Sequence, residues 1–326
     1  MSHRSFVTGA TGQIGFPLVK ALVAAGHRVT ALVRDEGKAA AVREAGATLL
    51  VGHLEDQDSL DRGIGDATHV WHLAGGIRGP GSMSADRLNH QGTQHVCESA
   101  RKHKGNLECF VYASSCAVYG DRSGLWVGED YAPAAATNYG KAKVAAEALL
   151  NRAAREEKLP VRIARIAAVY GAETRFTQAE SIRAGKAWLP GEGRNIVPVI
   201  HVDDCVAALL AIGERGANGE TYNVGAPSTP TLKEFYGEVH RIVGGKPVTF
   251  FSTWVPSPFQ RIVATQNEAI MARLGRKPRF TNDNLRLFTA SVRLKLDRLE
   301  KELGFAWKYG DYREGLAAAL GSAKIA

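Results

Sequence analysis

Hydrophobic positions in this chain fall into short, almost unbroken runs separated by longer amphipathic stretches. Ser5–Val7, Arg28–Val33, Thr48–Val51, His69–Leu73 and Cys109–Tyr112 are apolar, and each is followed by ten or more residues of helical composition. Continuous runs mark strands buried on both faces, and strands joined through helices are parallel, because only a long crossover returns the chain to the same end of a sheet. A sixth run, Val161–Ile166, follows an Ala-rich helix predicted over roughly 138–156. The pattern predicts an α/β fold built on a doubly wound parallel sheet.

After Tyr170-Gly171 the rhythm breaks into Gly- and Pro-containing segments, then returns at Val199–Val202 and Glu220–Val224. Residues 1–170, with returns near 197–225, are therefore expected to form the larger domain built on the sheet. Residues 171–196 and 226–326 are expected to form mainly a smaller C-terminal substrate lobe. A chain of 326 residues with 45% hydrophobic content is long enough for both.

The composition removes several function classes. No run of about 18 apolar residues is present, and Met1-Ser2-His3-Arg4 leads straight into a strand, so the expectation is a cytoplasmic protein with no integral membrane segment. Cys97, Cys109, Cys116 and Cys205 show neither CxxC spacing nor the density of a disulfide scaffold; buried thiols and no metal site are expected. The net charge of +8 comes from residues 241–326, where 15 Lys and Arg face 7 Asp and Glu. Arg273, Arg276, Lys277 and Arg279 have no interleaved aromatic stripe, so a solvated face is expected and not nucleic acid. A homodimer stays open.

Chemistry enters with Thr8-Gly9-Ala10-Thr11-Gly12-Gln13-Ile14-Gly15, directly after the first strand and opening a helix over 16–25. Gly9 permits a tight turn, Gly12 lets backbone approach a pyrophosphate, and Gly15 lets helix and strand pack closely, with helix N-terminal amides facing the anion. This Gly-xx-Gly-xx-Gly spacing resembles that of the short-chain dehydrogenases/reductases, which implies a Rossmann-type dinucleotide fold and a nicotinamide cofactor.

Cofactor selection belongs at the end of the second strand, where Val33-Arg34 stands and no acid appears before Asp35. Arg34 can fork onto a 2′-phosphate, which favours NADP; NAD stays open, since Arg34 can instead cap the strand and pair with Asp35 or Glu36. His53-Leu54 occupies the place where the family commonly has Asp-Leu at the adenine, and Ala74 lies in a small-residue segment that passes the cofactor ribose.

The catalytic reading rests on Tyr139-Gly140-Lys141-Ala142-Lys143, whose i,i+4 spacing puts Tyr139 and Lys143 on one helix face. A phenol with a pKa of about 10 needs a nearby cation to titrate near neutrality, and Lys143 is expected to supply it. The resemblance adds Ser115, three residues before Val118-Tyr119-Gly120, as the hydroxyl that holds the reacting oxygen. Asn89, Gly92-Thr93, Val169-Tyr170-Gly171, His201–Asp204 and Tyr222–Gly225 also match the family. They are expected to be structural, with Asp203 as a helix N-cap and His95 and His103 as solvated helix residues.

Resemblance therefore spans nearly the whole chain and points to the extended branch that contains epimerases and dehydratases. Enzymes of that branch acting on nucleotide sugars usually carry Asn before the sixth-strand Tyr-Gly and Arg before His-Val-Asp-Asp. Here Ala167-Ala168-Val169 and Asn195–Val199 stand in those places, with Arg194 or Arg183 as substitutes. The segment Arg276–Thr281 and the later Lys295–Arg298 are nearer to the hydroxysteroid-dehydrogenase and flavonoid-reductase-like members. Phe250, Phe251, Trp254, Phe259 and Ile262 suggest an apolar or cyclic substrate. The expected activity is NADP-dependent carbonyl reduction; the alternatives are a nucleotide-sugar epimerase or dehydratase and a non-catalytic dinucleotide sensor.

Overall fold

The computed structural model describes residues 3–77, 84–172, 174–251, 257–274, 276, 278 and 280–321, apart from the side chains of Arg175, Ser257 and Pro258. Trp254, Lys277 and Arg279 lie outside the described residues.

Seven parallel strands form the main sheet. They are β1 Arg4–Thr8, β2 Arg28–Val33, β3 Thr48–Val51, β4 His69–His72, β5 Cys109–Ser115, β6 Val161–Ile166 and, near the end, Thr221–Val224. In space their order is Thr221–Val224, β6, β5, β4, β1, β2, β3, so the chain reverses direction between β1 and β4. Ligands of open α/β sheets bind in the crevice outside the carboxyl ends of the strands at such a reversal.

Alternation within each strand explains the unbroken apolar runs. Val7, Trp71 and Val111 point to one face, where Leu18, Leu22, Leu209 and Ile212 pack on them. Phe6, Val70 and Phe110 point to the other, against Leu60, Ile64, Val96 and Leu150. The first face is covered by α1 Gly15–Ala24 and by helix Val202–Arg215; the second by α2 Gln57–Gly65, α3 Gly92–Lys102 and α4 Asn138–Glu157. Helix starts are fixed locally: Asp56 accepts from Ser59 N at 3.2 Å, and Thr137 accepts from Gly140 N at 3.0 Å.

Three sequence expectations change. β5 carries Ala113, Ser114 and Ser115, which pair with Ala164, Arg165 and Ile166, but it ends there: Cys116–Tyr119, expected to continue the strand, forms a 3₁₀ turn. Val199–His201, labelled β8, does not rejoin the main sheet; it pairs in parallel with β7, Ala168–Tyr170, while Thr221–Val224, now β9, takes the sheet edge. The cap of α5, Val202–Arg215, is His201, which accepts from Asp203 N at 3.2 Å, and Asp203 sits inside the first turn.

A C-terminal lobe with its own core covers the carboxyl end of the sheet. Tyr170, Leu189 and Val199 meet Phe235, Tyr236 and Val239 of α6, Leu232–Val243. Helix α6 starts with a reciprocal cap between Thr231 and Glu234. Helices α7 Ser257–Arg273 and α8 Asn282–Thr289 pack on each other, and α9 Tyr312–Gly321 packs on α6. No helix among the described residues is long and apolar enough to cross a membrane.

Candidate active site

The glycine loop shapes the cleft through backbone contacts. Gly9 has φ +73°, and a Cβ there would lie 2.7 Å from Ala74 N, so the loop touches the end of β4 only because this residue is glycine. A Cβ on Gly15 would lie 2.0 Å from Gly9 O, which is the close helix–strand packing expected of that position. The result is a cleft of about 700 Å³ lined by Gly9, Thr11, Gly12, Arg34, His53 and Ala74, among others including Leu54.

Around this cleft, acids and bases are paired so as to leave Arg34 facing it. Asp35 lies 3.7 Å from Lys38 and Glu36 2.5 Å from Arg43, so neither is the partner of Arg34. Arg87 and Glu55 make a two-point ion pair at the opposite lip.

A second cavity of about 540 Å³ adjoins the first through Gly9, Gly12, Leu73 and Gly75. Gln13, Ile14, Gly15, Ser115 and Tyr139 line it, so the expected cofactor-loop residues and both expected hydroxyls converge on one junction. Ser115 ends β5 and accepts from Ala117 N at 3.2 Å, which fixes its side chain at the top of the strand. Tyr139, half-buried, sits in the first turn of α4. Burial pushes its phenol up to about 12, partly offset by a hydrogen bond with Ser115.

Lys143 lines neither cavity but lies beneath their seam. Its ammonium donates to Ala113 O at 2.7 Å, and a Cβ on Gly75 would come within 3.0 Å of Nζ. Burial holds its pKa down to about 7, with Glu147 opposing that shift. Nζ is 6.0 Å from the centroid of the Tyr139 ring, and burial is the main influence on the phenol.

Two buried networks lie behind the site; the sequence reading named Asn89 and Thr93 as structural landmarks but missed the roles of His72, Glu147 and Arg165. His72 sits between Thr8 Oγ1 at 2.7 Å and Thr93 Oγ1 at 3.0 Å, and Thr8 Oγ1 also accepts from Ala74 N at 3.2 Å. Asn89 ties Gly76 through both its N–H and its C=O, at 3.1 and 2.9 Å. On α4, Glu147 accepts from Ser114 and makes an ion pair with Arg165 at 2.7 Å, while Arg165 donates to Tyr119 at 2.9 Å. Tyr139, Lys143 and Glu147 are spaced i, i+4, i+8, and that polar stripe on an otherwise Ala-rich buried face was the available signal.

Other expected landmarks hold the scaffold. Asn223 accepts from Tyr119 at 2.7 Å, Asp204 accepts from Lys308 N and Tyr309 N at 2.8 Å each, and Gly225 O accepts from Trp307 at 2.7 Å. His95 and His103 are half-buried, not solvated.

The aromatic residues expected around the substrate are placed elsewhere. Phe250 packs on the lobe core, Phe251 packs with Phe280, and Phe259 and Ile262 are 55% and 54% exposed on α7. The apolar wall of the second cavity comes instead from Leu73, Val169, Phe176, Leu232, Phe288 and Val292. Beside it lies a polar pocket of about 520 Å³ lined by Glu192, Arg194, Gln260, Arg261 and Arg286. Arg183 is not among its lining residues.

A doubly wound sheet with a glycine loop at its reversal point and a Ser, Tyr and Lys set at the β5–α4 junction defines the extended short-chain dehydrogenase/reductase class of NAD(P)-dependent enzymes. The sequence profile of the NAD dependent epimerase/dehydratase family matches residues 5–225, and the chain belongs to that family. It is 28% identical, over 97% of its own length and 95% of the relative's, to the 4-hydroxy-2-methyl-3-oxo-4-farnesyl-3,4-dihydroquinoline-1-oxide ketoreductase of Stigmatella aurantiaca. It is 34% identical to the 3-diazoavenalumate denitrifying reductase of a Streptomyces species, over 66% of this chain and 74% of that one. Among solved structures, MoeE5 in complex with UDP-glucose and NAD superposes with a TM-score of 0.77 at 25% identity, covering 98% of each chain.

Proposed function

We propose that the protein is an NADP-dependent ketoreductase acting on a small apolar or cyclic carbonyl compound, nearest in its branch to the hydroxysteroid-dehydrogenase and flavonoid-reductase-like enzymes. The observation that carries this reading is the apolar cavity holding Ser115 and Tyr139 and opening directly onto the glycine-loop cleft. The 700 Å³ cleft fits a dinucleotide: Gly9, Thr11, Gly12, Gln13, Ile14 and Gly15 present backbone at the start of α1, Arg34 takes the 2′-phosphate, His53, Leu54 and Ala74 flank the adenosine side, and Tyr139 and Lys143 take the nicotinamide ribose. Bound there, NADPH supplies the hydride.

The chain's own residues do the rest. Ser115 and Tyr139 hydroxyls donate hydrogen bonds to the substrate carbonyl oxygen, which orients its face and polarises the bond. As negative charge develops on that oxygen, Tyr139 gives up its proton. Burial keeps the phenol protonated before transfer, as a proton donor requires. Lys143, fixed by Ala113 O and buried below Gly75, is placed to contact the ribose and to favour the phenolate left after transfer. In this proposal residues 1–170, with returns near 197–225, bind cofactor, and 171–196 with 226–326 close over substrate. The partner in this proposal is a small-molecule substrate and not a nucleic acid.

One observation favours a second reading. Arg194, Arg261 and Arg286 line the polar pocket next to the apolar one, and cations there suit a diphosphate, as a nucleotide-sugar enzyme requires. NADPH and NADH consumption with a panel of cyclic ketones, set against thermal stabilisation by UDP and GDP sugars, separates the two. Ketone-dependent NADPH oxidation supports reduction. Stabilisation by UDP sugars with no net cofactor turnover on any ketone contradicts it.

A further inference from the structure

At the amino end of the sheet, opposite the cleft, the three central strands begin with metal-ligating side chains. His3 precedes β1, His69 opens β4, and Glu108 precedes β5; β4 lies between the other two. One donor atom from each of His3, His69 and Glu108 lies within 4.8 Å of the others, and His3 Nδ1 is 3.7 Å from Glu108 Oε2. The rings of His3 and His69 are 4.5 Å apart, edge to face.

The buried member of the group is already oriented. His69 Nδ1 lies 2.9 Å from Thr68 Oγ1, and that hydroxyl accepts from Arg4 N at 3.0 Å and donates to Arg4 O at 3.3 Å. In the tautomer in which His69 donates from Nδ1 to Thr68 Oγ1, whose own proton can go to Arg4 O, the other ring nitrogen keeps its lone pair for an ion. Metal-bound imidazoles are held in this way, one nitrogen fixed by an outer acceptor and the other on the ion. His27, whose ring is 5.0 Å from that of His3 and which is bonded to Ser5 Oγ, flanks the group without joining it.

We propose that His3, His69 and Glu108 form a binding site for a divalent transition-metal ion of the zinc type. Two imidazole nitrogens and one carboxylate oxygen suit zinc, nickel or copper and do not suit magnesium or calcium, which take oxygen ligands. Bonds of about 2.0–2.2 Å in tetrahedral geometry bring ligand atoms closer together than they stand here. His3 and Glu108 are both exposed, so rotation of their side chains closes the difference around the fixed His69, with water completing the shell. The ion would tie together the starts of β1, β4 and β5, far from Ser115 and Tyr139. It is a stabilising site and takes no part in the reduction.

The test uses full-length protein without a polyhistidine tag, stripped with a chelator and titrated with Zn²⁺ by calorimetry and by thermal melting. The site predicts one ion per chain at micromolar affinity or tighter, and a Tm raised by Zn²⁺. In His3→Ala and in Glu108→Ala, both exposed positions, affinity falls by at least about tenfold and the Tm gain disappears, with turnover unchanged. Absence of saturable binding at ~0.1 mM Zn²⁺ overturns the proposal. So does binding that is undiminished in both variants.

Discussion

The two cavities that meet at Gly9, Gly12, Leu73 and Gly75 are built in different ways. The first is made by backbone at the ends of successive strands, and its side chains stand at short, fixed offsets from those ends: Thr11 after β1, Arg34 after β2, His53 after β3, Ala74 after β4. The second takes its wall from segments scattered between Leu73 and Val292. Backbone architecture of the first kind recurs across Rossmann-type enzymes that bind a dinucleotide, whereas the second kind changes with each substrate. The reaction type is therefore easier to read than the compound.

That contrast can be broken at several points. Tyr139→Phe removes the proton donor and leaves the cleft intact, so reductive turnover falls by about 10²–10⁴-fold while cofactor affinity, measured by fluorescence titration, stays within about threefold. Retained turnover would dissociate the junction from the chemistry. Glu147→Ala strips the partner from the buried Arg165 and frees Ser114 behind β5; urea unfolding should show a loss of about 3–5 kcal/mol. Arg34→Ala sharpens the cofactor side: KM for NADPH rises by about tenfold and KM for NADH stays unchanged, since only a charge-assisted bond to the 2′-phosphate is lost.

A graded effect, read as a slope, is on the pH dependence of stability. Burial, with Lys143 nearby, pushes His72 down to about 3, while in the unfolded chain it titrates at about 6.5. Between those values the unfolded chain takes up a proton that the folded one refuses, so stability falls as pH drops from about 6.5 toward 3. No cost arises above that window. His72→Gln should flatten the slope by up to about 1.4 kcal/mol per pH unit in acid unfolding experiments. An unaltered slope would mean that His72 protonates in place.

Much of the first region was legible because its elements are local. β2, β3 and β6 fall where the apolar runs stand, and α4 begins at the Asn138 that precedes Tyr139. Ala113-Ser114-Ser115 has little strand preference of its own and was placed on the fifth strand by the family motif; pairing with β6 holds it there and delivers Ser115 to the junction. Glu147 could be found only from its i+4 spacing to Lys143, since an acid in an Ala-rich helix reads as solvated until Arg165 arrives from β6. In the lobe, aromatic content alone did not say which rings would face the cavity. Phe250 and Phe251 went into cores and Phe259 into solvent, while Phe176 and Phe288, in segments without a clear period, form the wall.

The central claim concerns where the cofactor's reactive carbon lies relative to Tyr139, and a crystal structure with NADP⁺ measures it. The account predicts the nicotinamide at the junction of the cavities, Lys143 on its ribose, and its C4 facing the Ser115 and Tyr139 hydroxyls across a gap that admits a carbonyl at about 3–3.5 Å from each reacting atom. A dinucleotide whose nicotinamide points away from that cavity, with Tyr139 facing no cofactor atom, would contradict it.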